Sequence, residues 1–448
     1  MNKNLKYYRI TPSVVKADTE SEIEIRSFDG IMRFFDDTEY EVSFIPREVQ
    51  EVPRGSEIKL RSYDKSIVPI KVYPENGVIK VKYRFTDEQA WRVHISTNEY
   101  LKHQNPLYEK YRPHWDGYIK EPQNGIDLFI YSVYEDLYGK IARKGDLHMH
   151  TNVSDGRESP ELVCAESRRG GKDFIAITEH NLFTSPDRAR ELSDISRGLE
   201  VIPGEEVHNG YIGDFHMVNI GGTKSVNEVF LDNPERVERE AMALADKVQI
   251  PEGVDKREYL MRVWLYNEAK NSGGFVIFPH PFWNLGRYHV PTKMTRAILK
   301  NGLCDAFEVV GGVRPFEENL QVALWNDLRA EGVNIPVVGS TDSHSALDYR
   351  HFEKYTVIFG KDAIKSISDG YSVAVEAFQN ENIRVYGSYR LSAYTHFLLE
   401  NYFPIHDEMC AAAGEFAMQY VNGCEDAREL SEKAEAKIEK FARDFFGI

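Results

Sequence analysis

The stretch Asp146-Leu147-His148-Met149-His150 decides the reading of this chain. Side chains two apart on a strand point to the same face, so His148 and His150 can reach one metal ion together. The pair alone is weak evidence. With 14 histidines in 448 residues, one such pair arises by chance in roughly every second protein of this size. Asp155 follows in Asn152-Val153-Ser154-Asp155-Gly156, where an aspartate is ordinarily a turn former.

Downstream, the same pattern recurs at the ends of short apolar runs. The strand candidates are Asp146–His150, Phe174–Thr178, Glu200–Pro203, Phe215–Ile220, Phe275–Phe278, Ala306–Val310 and Ile335–Gly339. Helical segments between them include Ser159–Arg169, Pro186–Ser196, Pro234–Ala245, Lys256–Lys270, Thr292–Lys300 and Phe316–Ala330. Strand–helix alternation predicts a mostly parallel sheet, open or closed. Between Glu206 and His216 the gap is too short for a crossover helix. The strands end in Thr178-Glu179-His180, Pro203-Gly204-Glu205-Glu206, Phe215-His216, Phe278-Pro279-His280-Pro281 and Gly339-Ser340-Thr341-Asp342-Ser343-His344. A core histidine satisfied by one hydrogen bond explains any one of these residues, but not all of them at the C-terminal rim where barrel enzymes place their sites.

Residues 1 to 138 read differently. Ile23 and Ile25 alternate with charged residues, as do Ile58 and Leu60, and Trp91, Val93 and Ile95. Ile70 and Val72, then Asn76-Gly77, then Ile79, Val81 and Tyr83 predict a hairpin with a type I′ turn. Short strands without intervening helices predict an antiparallel, immunoglobulin-like sandwich. The aromatic loop of Tyr108, Tyr111, Trp115 and Tyr118 fits a cover for a sandwich edge better than a ligand site. The predicted domains are thus a sandwich (1–138), a barrel (139–390) and a helical tail (391–448), in which Leu430, Ala434, Ile438 and Phe441 share a face. That tail caps the barrel or, alternatively, forms an oligomer contact.

Composition narrows the function. A formal charge of -16 disfavours long nucleic acid, which clustered Lys and Arg would hold. Four cysteines without a CxxC pair argue against a disulfide framework and fit a reducing, cytoplasmic setting. No apolar run suits a signal peptide or a membrane span. An imidazole and carboxylate set without thiolate suits Zn, Mn or Fe. Nine candidate ligands exceed the needs of one ion and imply two or three, with a bridging carboxylate. Ions roughly 3.5–4 Å apart can share a hydroxide and brace an in-line displacement at phosphorus.

The motifs DLHMHTNVSDG, ITEHN, PGEE, FHMVNIGG, PHP and GSTDSH, across about residues 146 to 345, resemble those of the PHP superfamily (polymerase and histidinol phosphatase). The resemblance implies a distorted (β/α)7 TIM-like barrel with a trinuclear metal site. Its ligands would be His148, His150, Asp155, His180, Glu206, His216, His280, Asp342 and His344. Glu206 is chosen over Glu205 on the family's Gly-x-Glu pattern. The family usually carries Asp where Glu179 stands, a position expected to orient neighbouring residues. Arg287, His289 and Arg314, in loops on the same rim, are candidates to grip substrate oxygens. The expected activity is metal-dependent hydrolysis of a small phosphomonoester by a metal-bridging hydroxide. The rivals are a phosphodiesterase or exonuclease on short oligonucleotides, a metal-stabilised binding module, and amide hydrolysis. The last lacks the metal-bridging lysine that such barrels use.

Overall fold

A computed structural model describes residues 3–28, 33–48, 67–97, 125–208, 215–284, 286–348, 354–378 and 382–448. Ile58, Leu60 and the aromatic loop of Tyr108 to Tyr118 lie outside them. The protein is a mixed α/β chain of two compact units. One comprises Met1–Lys140 with His396–Pro404 and Lys440–Ile448; the other comprises Ile141–Thr395 with Ile405–Glu439. No helix among the described residues is long and apolar enough to cross a membrane.

The first unit holds strands β1 (Tyr8–Thr11), β2 (Val14–Lys16), β3 (Thr19–Ser27), β4 (Tyr40–Pro46), β5 (Ile70–Val72), β6 (Val78–Phe85), β7 (Gln89–Ser96) and β8 (Ile126–Val133). They form two sheets, ordered β1-β3-β6 and β2-β8-β7-β4-β5. Alternation buries Ile23 and Ile25 of β3 while the adjacent Glu22 and Glu24 stay at least partly exposed, as period 2 requires. Phe44 of β4 stacks on Tyr83 of β6 at 4.3 Å, so aromatic rings join the two sheets. The predicted hairpin forms only as a turn. Asn76 (φ 54°) and Gly77 (φ 72°) adopt the left-handed backbone of a type I′ turn. Beyond it, β5 pairs with β4 whereas β6 pairs with β3. Register explains the split: Val81 and Ile79 lie opposite Ile23 and Ile25, and that buried match outweighs local pairing with the half-exposed β5. One pairing, β2 with β8, is parallel.

The second unit starts with β9 (Ala142–Met149), β10 (Phe174–Ile177) and β11 (Glu200–Ile202), paired in parallel. The helices Pro160–Arg169 and Pro186–Ser193 connect them. Each has a serine cap, Ser159 or Ser185, followed by proline in its first turn. Pro203 then breaks the chain, having no N–H to give a ladder. β12 (Gly204–Val207) opens a second sheet with β13 (Met217–Ile220), β14 (Phe275–Phe278), β15 (Ala306–Val310) and β16 (Val337–Gly339). Here β13 runs antiparallel to both of its neighbours, β12 and β14. A mostly parallel sheet was the sequence expectation, and the short link from Glu206 to His216 is where it fails. β14, β15 and β16 resume parallel pairing. On the other side of β9, β17 (Lys354–Phe359), β18 (Ser372–Phe378) and β19 (Asn382–Tyr386) add antiparallel strands that periodicity did not reveal.

Leu147, Phe174, Ile202, Val218, Ile277, Ala306, Val338 and Ile358 form one buried cluster drawn from both sheets. Isolated bridges between His180 and Glu206 and between Met149 and Ser343 tie the sheets together. Both bridges lie at the end of the sheets where the polar strand termini gather.

Candidate metal centre

His148 is the penultimate residue of β9, and His150 follows the strand directly. Both are buried. Glu206 lies within β12 and is fully buried. Its Oε2 stands 3.1 Å from His148 Nε2, 3.3 Å from His150 Nε2 and 3.3 Å from His180 Nδ1. Its Oε1 stands 2.7 Å from His216 Nδ1 and 3.3 Å from His280 Nε2. Asp342 Oδ1 lies 3.2 Å from His148 Nε2 and 3.0 Å from His150 Nε2. Toward the surface, Asp155 Oδ2 is 3.2 Å from His344 Nε2 and 3.7 Å from His180 Nε2. All nine residues singled out by motif therefore meet at one rim.

Two groups have donor atoms close enough to share an ion: His148, Glu206, His280 and Asp342, and His150, Asp155, His180 and His344. The first is more deeply buried. The donor chemistry suits divalent cations. His148 Nε2, His150 Nε2, His180 Nδ1, His280 Nε2, Glu206 Oε2 and Asp342 Oδ1 are buried without a hydrogen-bond partner. Unmatched polar atoms cost about 1–3 kcal/mol each, and six facing one another would not persist without a compensating charge. Electrostatics agree. Burial works against the Glu206 carboxylate, yet His148 and His216 hold its pKa well below the usual range. Burial likewise opposes His150, but Asp342 and Glu206 push it up to about 9. Burial brings His180 down to about 4. Protons balance the carboxylates here, and cations could replace them.

A supporting layer fixes these side chains. Glu308, fully buried in β15, meets His148 Nδ1 at 3.0 Å, which leaves Nε2 for the centre. Glu179 accepts from the Thr151 N–H and from the Thr151 and Ser154 hydroxyls, ordering the turn that carries Asp155. Asp146 accepts from Thr341 Oγ1 at 2.6 Å and joins β9 to the Asp342 loop. Glu205 is committed elsewhere: it accepts from Val226 N, Asn227 N, Ser225 Oγ and Asn219 Nδ2. His280 and Asp342 have positive φ, 23° and 54°, a strained backbone of the kind concentrated at functional sites. Gly312 is required beside them, since a Cβ there would lie 2.4 Å from His280 Cδ2.

Sequence reasoning missed Glu308, which sits mid-strand rather than at a strand end. It also missed His208, whose ring lies 4.7 Å from that of His180 and 4.6 Å from that of His216. Among the substrate candidates, His289 packs 4.5 Å from the His216 ring. Arg314 lines a cleft of about 610 Å³ that opens beside Asp342 and His344. Arg287 is exposed and does not line that cleft. Arg157 and Lys354, not singled out by sequence, do.

No family model matches the chain. It is 26% identical to a 5'-3' exoribonuclease of Haemophilus influenzae over 122 residues, 26% of this chain and 44% of the relative. It is 36% identical to a phosphoribosyl 1,2-cyclic phosphate 1,2-diphosphodiesterase of Eggerthella lenta over 62 residues, 14% and 23% of the two chains. The chain thus spans less than half the length of these curated relatives. A two-domain protein of Bacteroides vulgatus, described as containing a predicted PHP-like metal-dependent phosphoesterase, is 20% identical with a TM-score of 0.36, covering 53% of this chain and 66% of that one. The residues carried by the motifs that resemble those of the PHP superfamily thus gather at one rim, and the curated relatives match this chain over short segments only.

Proposed function

We propose that the chain is a metal-dependent phosphoesterase that hydrolyses a small phosphomonoester, such as a nucleotide or a phosphorylated metabolite. The observation that carries this reading is the buried Glu206 carboxylate, faced by histidines of both groups, with the unmatched donors of His148, His150, His180, His280 and Asp342 around it. We read the second unit as a distorted (β/α)7 barrel and the strands of the first as a sandwich. His148, Glu206, His280 and Asp342 would hold one divalent ion and His150, Asp155, His180 and His344 a second, with His216 beside Glu206. Two or three ions of Zn, Mn or Fe would supply Lewis acidity at the phosphoryl oxygens and an activated water. The protein's own part is to fix the ions through Glu206 and Asp342, to orient His148 through Glu308, and to present Arg314 and His289 to the substrate.

Phosphodiester hydrolysis is a second reading, favoured by the names of the two sequence relatives, an exoribonuclease and a diphosphodiesterase. The net charge of -16 argues for a short substrate in either case. Phosphate release from phosphomonoesters, nucleoside bisphosphates and short oligonucleotides, compared with His148→Ala, separates the two. Release from monoesters alone supports the first reading. Cleavage of oligonucleotides without release from simple monoesters would replace it with the second.

A further inference from the structure

Three basic side chains line the cleft beside the centre: Arg157, Arg314 and Lys354. Their situations differ. Lys354 is committed to Glu318 and to Val313 O at 2.9 Å. Arg314 is ion-paired with Glu317. Arg157 is exposed, and among the described residues its guanidinium has no hydrogen bond or ion pair. Its backbone, by contrast, is fixed. Arg157 N donates to His344 O at 3.0 Å, and Gly156 before it packs so closely that a Cβ would lie 2.7 Å from His150 O. Asp155, two residues earlier, belongs to the outer candidate ligand group. An uncommitted guanidinium therefore stands at the mouth of the centre, on a fixed backbone two residues after the candidate ligand Asp155.

The reacting phosphoryl group would meet the ions, which leaves Arg157 a different task. We infer that Arg157 binds a second anionic group carried by the substrate's leaving group. The cleft then selects small phosphoesters whose leaving group bears its own carboxylate or phosphate over those with a neutral one. A cleft of about 610 Å³ lies within the range of small-ligand sites, roughly 300–1,000 Å³. The planar guanidinium suits bidentate recognition of either anion. Trp283, on the same lining, offers a flat apolar face for the portion between the two charges.

This inference rests on the phosphoesterase reading for its meaning, but its test needs no turnover. Binding of phenylphosphonate and 4-carboxyphenylphosphonate, neither of which carries a hydrolysable ester, is measured calorimetrically on the full chain reconstituted with Mn. Wild-type protein is expected to prefer the carboxylated ligand about 10-fold or more, as one charge-assisted contact allows. Arg157→Ala should bring that ratio close to one, Arg157→Lys should keep part of it, and Arg190→Ala, at an exposed helix position outside the cleft lining, should leave it intact. A wild-type protein without the preference, or a preference that survives in Arg157→Ala, overturns the inference. Absence of phosphate release from every ester, with the ratio behaving as expected, would instead remove only the phosphoesterase reading.

Discussion

His148 Nδ1 and Glu308 Oε2 lie 3.0 Å apart, both side chains fully buried. The contact fixes the imidazole so that Nε2 faces Glu206 and Asp342. Loss of such a partner typically weakens metal affinity about 10–100-fold. Glu308→Gln should therefore bind Mn or Zn that much more weakly in chelator competition, with the fold intact by circular dichroism. Unchanged affinity would show that the contact does not orient a ligand.

Gly312 and His280 make a steric prediction. Gly312 has φ +61°, and a Cβ would meet the His280 ring at 2.4 Å. Gly312→Ala must push the ring aside, and a misplacement of about 1 Å can cost on the order of 10²-fold in rate. Turnover should fall by that amount in a protein that still folds, with a lower thermal midpoint because alanine is strained at this positive φ. Full activity would place His280 outside the working set.

Glu205 and Glu206 are neighbours with opposite roles. Glu205 receives four hydrogen bonds, two of them from the first turn of the helix Val226–Asp232. Glu206 has an unmatched buried oxygen among histidines. Glu205→Ala should lower stability by about 1–3 kcal/mol in urea titrations and still bind metal. Glu206→Gln should lose metal and remain folded. The reverse pattern would exchange their assignments.

Asp173 gives a pH prediction away from the centre. Buried, it meets Arg168 Nη1 at 2.8 Å and His406 Nε2 at 3.0 Å. Burial would raise its pKa, but His406 and Arg168 hold it well below the ordinary aspartate value. A depressed folded-state pKa contributes stability above the unfolded value, near about 3.9, and that contribution is lost as pH falls toward the folded value. Asp173→Asn should cost roughly 3–5 kcal/mol at neutral pH and progressively less below about pH 4. A constant cost across urea titrations from pH 7 to pH 3 would contradict this.

How far the sequence carried the reading depended on where each signal lay. His148, His180, Glu206, His280 and Asp342 were legible because polar residues closing apolar runs violate the pattern of a buried strand. Glu308 was not, since one carboxylate inside Ala306-Phe307-Glu308-Val309-Val310 looks like an outward-facing residue until the fold buries both faces. Asn76-Gly77 specified its turn but not the partners of β5 and β6, because sheet membership depends on burial of Ile79 and Val81 against β3. The antiparallel β12–β14 segment was foreshadowed by the short link before His216. β17 to β19 lacked any distinct signal, since β17 is buried along its whole length and its polar Lys354 and Thr356 leave neither an unbroken apolar run nor a sustained period-2 alternation to read. Arg157 went unremarked because only the cleft distinguishes it from ordinary surface charge.

Metal-titrated phosphate release is the direct test of a metal-dependent phosphoesterase. Chelator-treated protein should be inactive on phosphoesters. Added Mn or Zn should restore release, which should saturate at two or three ions per chain by mass spectrometry, and Glu206→Ala should neither fill nor work. Release that persists in metal-free protein, or a fully loaded centre that hydrolyses no phosphoester, would rule out metal-dependent phosphoester hydrolysis at this site.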